Sequence, residues 1–161
     1  MKSFIATYCK ALLRVTVLTV TALFGLCSCT GNYKKTVTSV EEMTLTLRGM
    51  RGGFVYKLEQ MDDKTKLCYY REVYSNSETD LELLRSADCD RQGIIAIMNE
   101  CAVMCWDGFH GKHPKNVQDG IMFTFKAAVN GGNELYADGS ANFPKGYREF
   151  VEALNKMLEG K

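Results

Sequence analysis

The chain has no run of like charge and no basic stripe; its 20 Lys and Arg are interspersed with 19 Asp and Glu, for a formal net charge of +1. The electrostatic footprint needed to hold a phosphate backbone is missing, so nucleic acid is not an expected partner. It also lacks a phosphate-binding glycine loop, a GxSxG elbow and an HExxH helix, the short motifs that mark nucleotide-dependent enzymes, serine hydrolases and zinc peptidases. No sequence feature calls for a cofactor. The apolar run VTVLTVTALFGL is twelve residues long, short of the roughly twenty that cross a bilayer as a helix.

That run belongs to a leader. Lys2, Lys10 and Arg14 precede it with no acidic residue among them, and a basic segment followed by a short apolar one is a secretory signal. It ends in Leu26-Cys27-Ser28-Cys29. This resembles the lipobox of bacterial lipoproteins, in which a Leu three places before a cysteine and a small residue just before it direct lipidation and cleavage. On that resemblance Cys29 is the lipidated residue, because Ser28 supplies the small neighbour, whereas Cys27 follows the bulky Leu26. The expected organisation is a signal peptide over 1–28, a polar tether over 29–39 and a single domain over 40–161. Three basic and no acidic residues precede Cys29, which leaves 17 basic against 19 acidic from there on. In lipoproteins an aspartate directly after the lipidated cysteine favours inner-membrane retention; Thr30 stands there. The resemblance therefore implies an exported protein, attached through its lipid to the cell envelope at the outer membrane, with a domain that faces the periplasm.

The domain opens with alternation. Met43, Leu45 and Leu47 in EMTLTLRGM, and Phe54, Tyr56 and Leu58 in GGFVYKLEQ, each put one strand face on a core. MDDKTK supplies a turn, with the acidic pair Asp62 and Asp63 at its tip, before the aromatic-rich LCYYREVYS resumes an extended pattern. SNSETDLELLRSADCD fits a short helix or an irregular strand through Leu81, Leu83 and Leu84. In RQGIIAIMNECAVMCW, Ile94, Ile97, Met98, Cys101, Ala102 and Cys105 recur at helical spacing, which predicts one helix carried through Cys105.

Beyond Cys29, four cysteines remain: Cys68, Cys89, Cys101 and Cys105. In an exported chain an even count permits two disulfides, and Cys101 and Cys105, one helical turn apart, are better placed to reach Cys68 and Cys89 than each other. Buried free thiols are the alternative. Cys101, Cys105, His110 and His113 also place two thiols and both histidines within thirteen residues, a set that zinc accepts, although the spacing matches no standard finger or ribbon.

From Trp106 the chain reads WDGF, a polar loop, a strand with Ile121, Phe123 and Phe125 alternating, an NGGN turn, a returning strand and a final amphipathic segment. There Tyr147, Phe150, Val151, Leu154, Met157 and Leu158 share one helical face, with Asn142 and Pro144 marking its start. The fold class predicted is α+β, an antiparallel sheet of about five strands with two main helices packed on one face. This succession over Trp106–Leu158 resembles families of small secreted and lipoprotein domains of bacteria. It carries no catalytic residues, and Trp106, Gly108, Gly139, Asn142 and Pro144 read as residues of shape. The function expected is that of a lipid-anchored binding module whose partner is a protein or a glycan, met through tyrosines off the core face: Tyr69, Tyr70, Tyr74 and Tyr136. A metal-dependent envelope enzyme and a purely structural envelope component are the other two classes.

Overall fold

A computed structural model describes residues 36–61, 64–75 and 78–160. The expected leader, Cys29 and the chain up to residue 35, together with Asp62 and Asp63, lie outside the described residues. Seven strands form one sheet: β1 (Val40–Gly49), β2 (Gly52–Met61), β3 (Lys64–Ser75), β4 (Glu78–Asp88), β5 (Phe109–Gly111), β6 (Met122–Val129) and β7 (Asn133–Ser140). Their order across the sheet is β4-β3-β2-β1-β6-β7-β5. Two helices, α1 (Arg91–Glu100) and α2 (Tyr147–Leu158), complete the body. The α+β class is therefore as expected, but the count of about five strands is corrected to seven. Residues 78–88 form a full strand, and the three-residue β5 adds an edge that pairs parallel to β7, so the sheet is not wholly antiparallel.

Strand alternation decides which face is covered. Leu45 stands opposite Tyr56 on one side and Phe125 on the other, and all three are buried. Rows of this kind through Met43, Leu67, Phe123, Ala127, Val129, Leu135 and Ala137 form the floor on which both helices lie. From α2 come Phe150, Leu154 and Leu158, spaced at i, i+4 and i+8; from α1 come Ile94, Ile95 and Met98. Each large apolar side chain so buried contributes about 1.5–3 kcal/mol relative to leaving it in water. Trp106 closes the core as the sequence suggests. Its ring meets Phe125 and Phe150 edge-on, at 5.2 and 5.3 Å between centroids, and its indole N–H donates to the Lys145 carbonyl at 2.9 Å.

The helix expected to run through Cys105 instead ends at Glu100. Ala102 turns into the left-handed region, φ 53°, and Val103–Cys105 form a single 3-10 turn. The break exchanges small residues for large ones: Val103 and Trp106 enter the core, while Ala102 and Cys105 are left exposed. Two further expectations shift. The start of α2, expected at Asn142 or nearby residues and Pro144, is Gly146, in the left-handed region at φ 85°. Ile121, expected to share the core face with Phe123 and Phe125, is exposed just before β6 begins.

The body also begins earlier than Val40. Val37 is buried, and its N–H and C=O both bond the Asn99 side-chain amide. Asn130, at φ 53°, accepts from the Thr38 and Ser39 N–H groups and from the Thr38 hydroxyl, and donates to the Thr36 carbonyl. Residues 36–39, read from the sequence as the end of the tether, are thus clamped to the sheet. The antiparallel registers put this clamp at the end of the sheet that holds Val40 and Val129; the β1–β2 turn, the β3–β4 turn and the start of β6 lie at the opposite end.

Candidate functional site, the open face of the sheet

The helices cover one face, and the other faces outward. Alternation assigns to it Arg48 and Thr44 of β1, Gly53, Val55 and Lys57 of β2, Cys68, Tyr70, Glu72 and Tyr74 of β3, Leu81 and Leu83 of β4, and Lys126, Tyr136 and Asp138 of β6 and β7. Two shallow depressions flank β1 there. One, of about 400 Å³, is bordered by Glu42, Thr44, Lys126, Glu134 and Tyr136, and the other, of about 480 Å³, by Glu42, Thr44, Lys57 and Glu59. Both mix charges of opposite sign and neither collects groups of one chemistry.

The most organised polar feature of this face is a cross-strand row of Arg48, Gly53 and Glu72 on β1, β2 and β3. The Glu72 side chain is 3% exposed, whereas that of Arg48 is 53% exposed. The guanidinium Nε and Nη2 grip both carboxylate oxygens at 2.6–3.2 Å. The carboxylate lies in the space that a Cβ at Gly53 would fill. The Arg48 bonds hold its carboxyl below the usual carboxylate range, and the partnership in turn raises the guanidinium. One edge of an oriented guanidinium remains in water.

Around and beyond this pair the exposure turns apolar. Half of the exposed large apolar side chains among the described residues fall between Val73 and Leu84. Tyr74 is 68% exposed, Leu81 46%, Leu83 50% and Leu84 39%. Two local features produce this. The β2–β3 ladder stops at Phe54–Arg71, so Val73–Ser75 and their β4 partners Glu78–Asp80 project past β2 as a two-stranded arm. The β3–β4 register then steps from Tyr69–Arg85 to Tyr70–Leu83, a bulge in which Leu84 is the extra residue beside Leu83.

The four tyrosines proposed from the sequence do not form one surface. Tyr69 is on the helix side, stacked on Phe54 at 5.5 Å and tilted against Tyr56 at 4.6 Å between ring centroids. Its neighbour Tyr56 donates to Asn155 of α2, and burial pushes that phenol up to about 12. Tyr70 is half-buried on the open face and donates to Glu59; burial and that bond raise its phenol as well. Tyr74 and Tyr136 are exposed on the open face, but β3 and β7 are four strand spacings apart, roughly 19 Å. The leucines of β4, left undecided between helix and strand, are what Tyr74 keeps company with.

The cysteines and histidines proposed as metal ligands separate. Cys101 caps α1 and is buried, while Cys105 is exposed on the 3-10 turn. His110, on β5, donates through Nδ1 to Asp138 of β7. The Val117 carbonyl can only accept, so His113 Nε2 donates to it, and Nδ1 accepts from the Ser140 hydroxyl at 2.8 Å. Among the described residues no three His, Cys, Asp or Glu side chains gather as a metal would require. Cys68, Cys89, Cys101 and Cys105 are all free thiols, and the shared helical face from which their pairing was argued is interrupted at Cys101. Burial pushes the Cys68, Cys89 and Cys101 thiols up, away from the reactive thiolate. Gly139, read from the sequence as a residue of shape, and Gly111, which was not, let the Asn142 backbone cross β7 and β5 at a distance no side chain would permit.

No helix among the described residues is long and apolar enough to cross a membrane. No protein-family model, no curated protein and no solved structure matches the chain.

Proposed function

We propose that the protein is a lipid-anchored module of the cell envelope that binds another protein through the open face of its sheet. The observation that carries this reading is the uneven distribution of apolar exposure. Two helices cover one face over the core strands, and on the other side Tyr74, Leu81, Leu83 and Leu84 collect beside the Arg48–Glu72 pair at the β3–β4 side of the sheet. Exposed apolar groups gathered in this way mark interaction surfaces, and Tyr, Arg and a surround of apolar contacts are the makings of an interface hot spot. A protein is favoured over a glycan because the patch is aliphatic with a single tyrosine, whereas sugar rings are met by broad aromatic faces flanked by hydrogen-bonding groups.

The leader supplies the other half of the reading. A lipid on Cys29 holds the membrane with several acyl chains, where one chain alone binds marginally. The chain enters the body at the Val37–Val40 end of β1, and the projecting β3–β4 arm lies at the other end of the sheet. Metabolic labelling with an alkyne-bearing palmitate tests the anchor. The wild-type chain takes up label and sediments with membranes; Cys29→Ser abolishes both, while Cys27→Ser leaves labelling at Cys29 intact. Absence of label in the wild-type chain would end the lipoprotein reading, and label retained in Cys29→Ser would end the assignment of the lipid to Cys29.

A further inference from the structure

The strand that carries the leucines is also the edge of the sheet. β4 has a ladder to β3 alone, so over Glu78–Asp88 the N–H and C=O groups aimed the other way meet no strand among the described residues. Protein edges are normally kept short or guarded by Lys and Pro, because a long bare edge is a template for another chain. This one is 11 residues long, contains neither Lys nor Pro, and exposes Leu81, Leu83 and Leu84; its guards are the bulge at Leu84 and the acidic side chains, which oppose only a partner of like charge. The opposite edge, β5, is three residues long and offers no comparable template.

The charge on β4 narrows what fits. Its sequence ETDLELLRSAD holds four acidic residues and one arginine. Glu82 already binds Arg71 at 2.6 Å, and Arg85 lies over the Tyr69 ring at 5.9 Å, so the single cation is drawn inward. Two copies paired edge to edge would set one acidic strand beside another, and like charges on facing strands are destabilising. We propose, building on the binding reading above, that β4 accepts an extended segment of a different protein as an eighth strand. In that segment, apolar residues on the open-face side alternate with Lys or Arg on the side of Asp80 and Glu82. Backbone bonds to β4 supply affinity, and Leu81 and Leu83 together with the acidic row supply specificity.

The test uses the full chain in mild detergent and fluorescein-labelled ten-residue probes read by anisotropy. One probe alternates valine with lysine, a second alternates valine with glutamate, and two more are the lysine probe N-methylated on all its valines or on all its lysines. The lysine probe is expected to bind at least tenfold more tightly than the glutamate probe. Only one of the two methylated forms should fail, because alternate residues turn their N–H groups toward β4. Leu83→Asp should weaken binding tenfold or more, and the double variant Asp80→Lys, Glu82→Lys should invert the preference between lysine and glutamate. Circular dichroism verifies that each variant is folded. Equal binding of both methylated probes would overturn strand addition and leave side-chain docking on the open face standing. No binding by any probe, or a concentration-dependent dimer in sedimentation that Leu83→Asp dissolves, would also overturn it. None of these outcomes bears on palmitate labelling at Cys29, so failure of the strand proposal and failure of the anchored-module reading are told apart.

Discussion

At the scale of single residues the most consequential absence of a side chain is at Gly53. The Glu72 carboxylate occupies the room its missing Cβ leaves, which lets β1 and β3 join across β2 through Arg48. Gly53→Ala therefore forces Glu72 outward. The expected cost is about 2 kcal/mol, less than for a fully buried pair because the outer side of Arg48 is in water. A Glu72→Ala background removes the three atoms nearest to the new Cβ, the Glu72 Oε2, Cδ and Cγ, and alanine is favoured over glycine in a strand by roughly 0.5–1 kcal/mol. The sign of the effect should thus reverse, and urea unfolding of the four proteins of the cycle measures it. Acid provides a second readout. Glu72 is held below its ordinary value of 4.5 in the folded state, so its contribution is complete above that pH and is lost as pH falls through the lowered value. The cost of Gly53→Ala should be full at neutral pH and shrink below about 4.5; a pH-independent cost would assign it to backbone strain instead.

At the scale of elements, legibility followed how strongly burial imposes a period. α2 is readable because Phe150, Leu154 and Leu158 lie in the core and Tyr147, Val151 and Met157 pack against it. Leu154→Ala should remove about 3 kcal/mol, whereas Glu152→Ala, on the exposed side of the same turn, should change the thermal midpoint little; comparable losses at both would mean that α2 is not docked as described. β1, β2 and β6 were legible for the same reason at period two. β4 was not, since both of its faces are wet: Leu81, Leu83 and Leu84 are exposed, the bulge shifts the alternation, and nothing in LELLR chooses a strand except the ladder to β3. The end of α1 was hidden in the opposite way. Cys101 and Cys105 continue the helical spacing, and only tertiary packing of Val103 and Trp106 makes the left-handed turn at Ala102 preferable. The tyrosines scatter for a related reason: they are visible to composition, but which face each takes depends on registers that no local pattern shows.

At the scale of the whole molecule, the sheet has a polarity that follows from one asparagine. Asn130 supplies the left-handed turn residue after β6 and, with the same side chain, holds Thr36, Thr38 and Ser39. It thereby sets the place where the chain joins the body, at the end opposite the β1–β2 turn and the projecting β3–β4 arm. The two roles can be separated. Asn130→Gly keeps the positive φ, which glycine adopts freely, and removes the side-chain clamp; Asn130→Ala removes both. Glycine is expected to cost about 1–2 kcal/mol for the lost hydrogen bonds, and alanine about 1 kcal/mol more for the strained backbone. Hydrogen exchange locates the effect. In Asn130→Gly the Thr38 and Ser39 amides should exchange at least tenfold faster, while the β3–β4 ladder amides, which share no partner with the clamp, keep their protection after correction for global stability. Loss of protection across both ends would mean that the clamp and the far arm open as one unit; unchanged exchange at Thr38 and Ser39 would mean that burial of Val37 alone fixes where the chain enters.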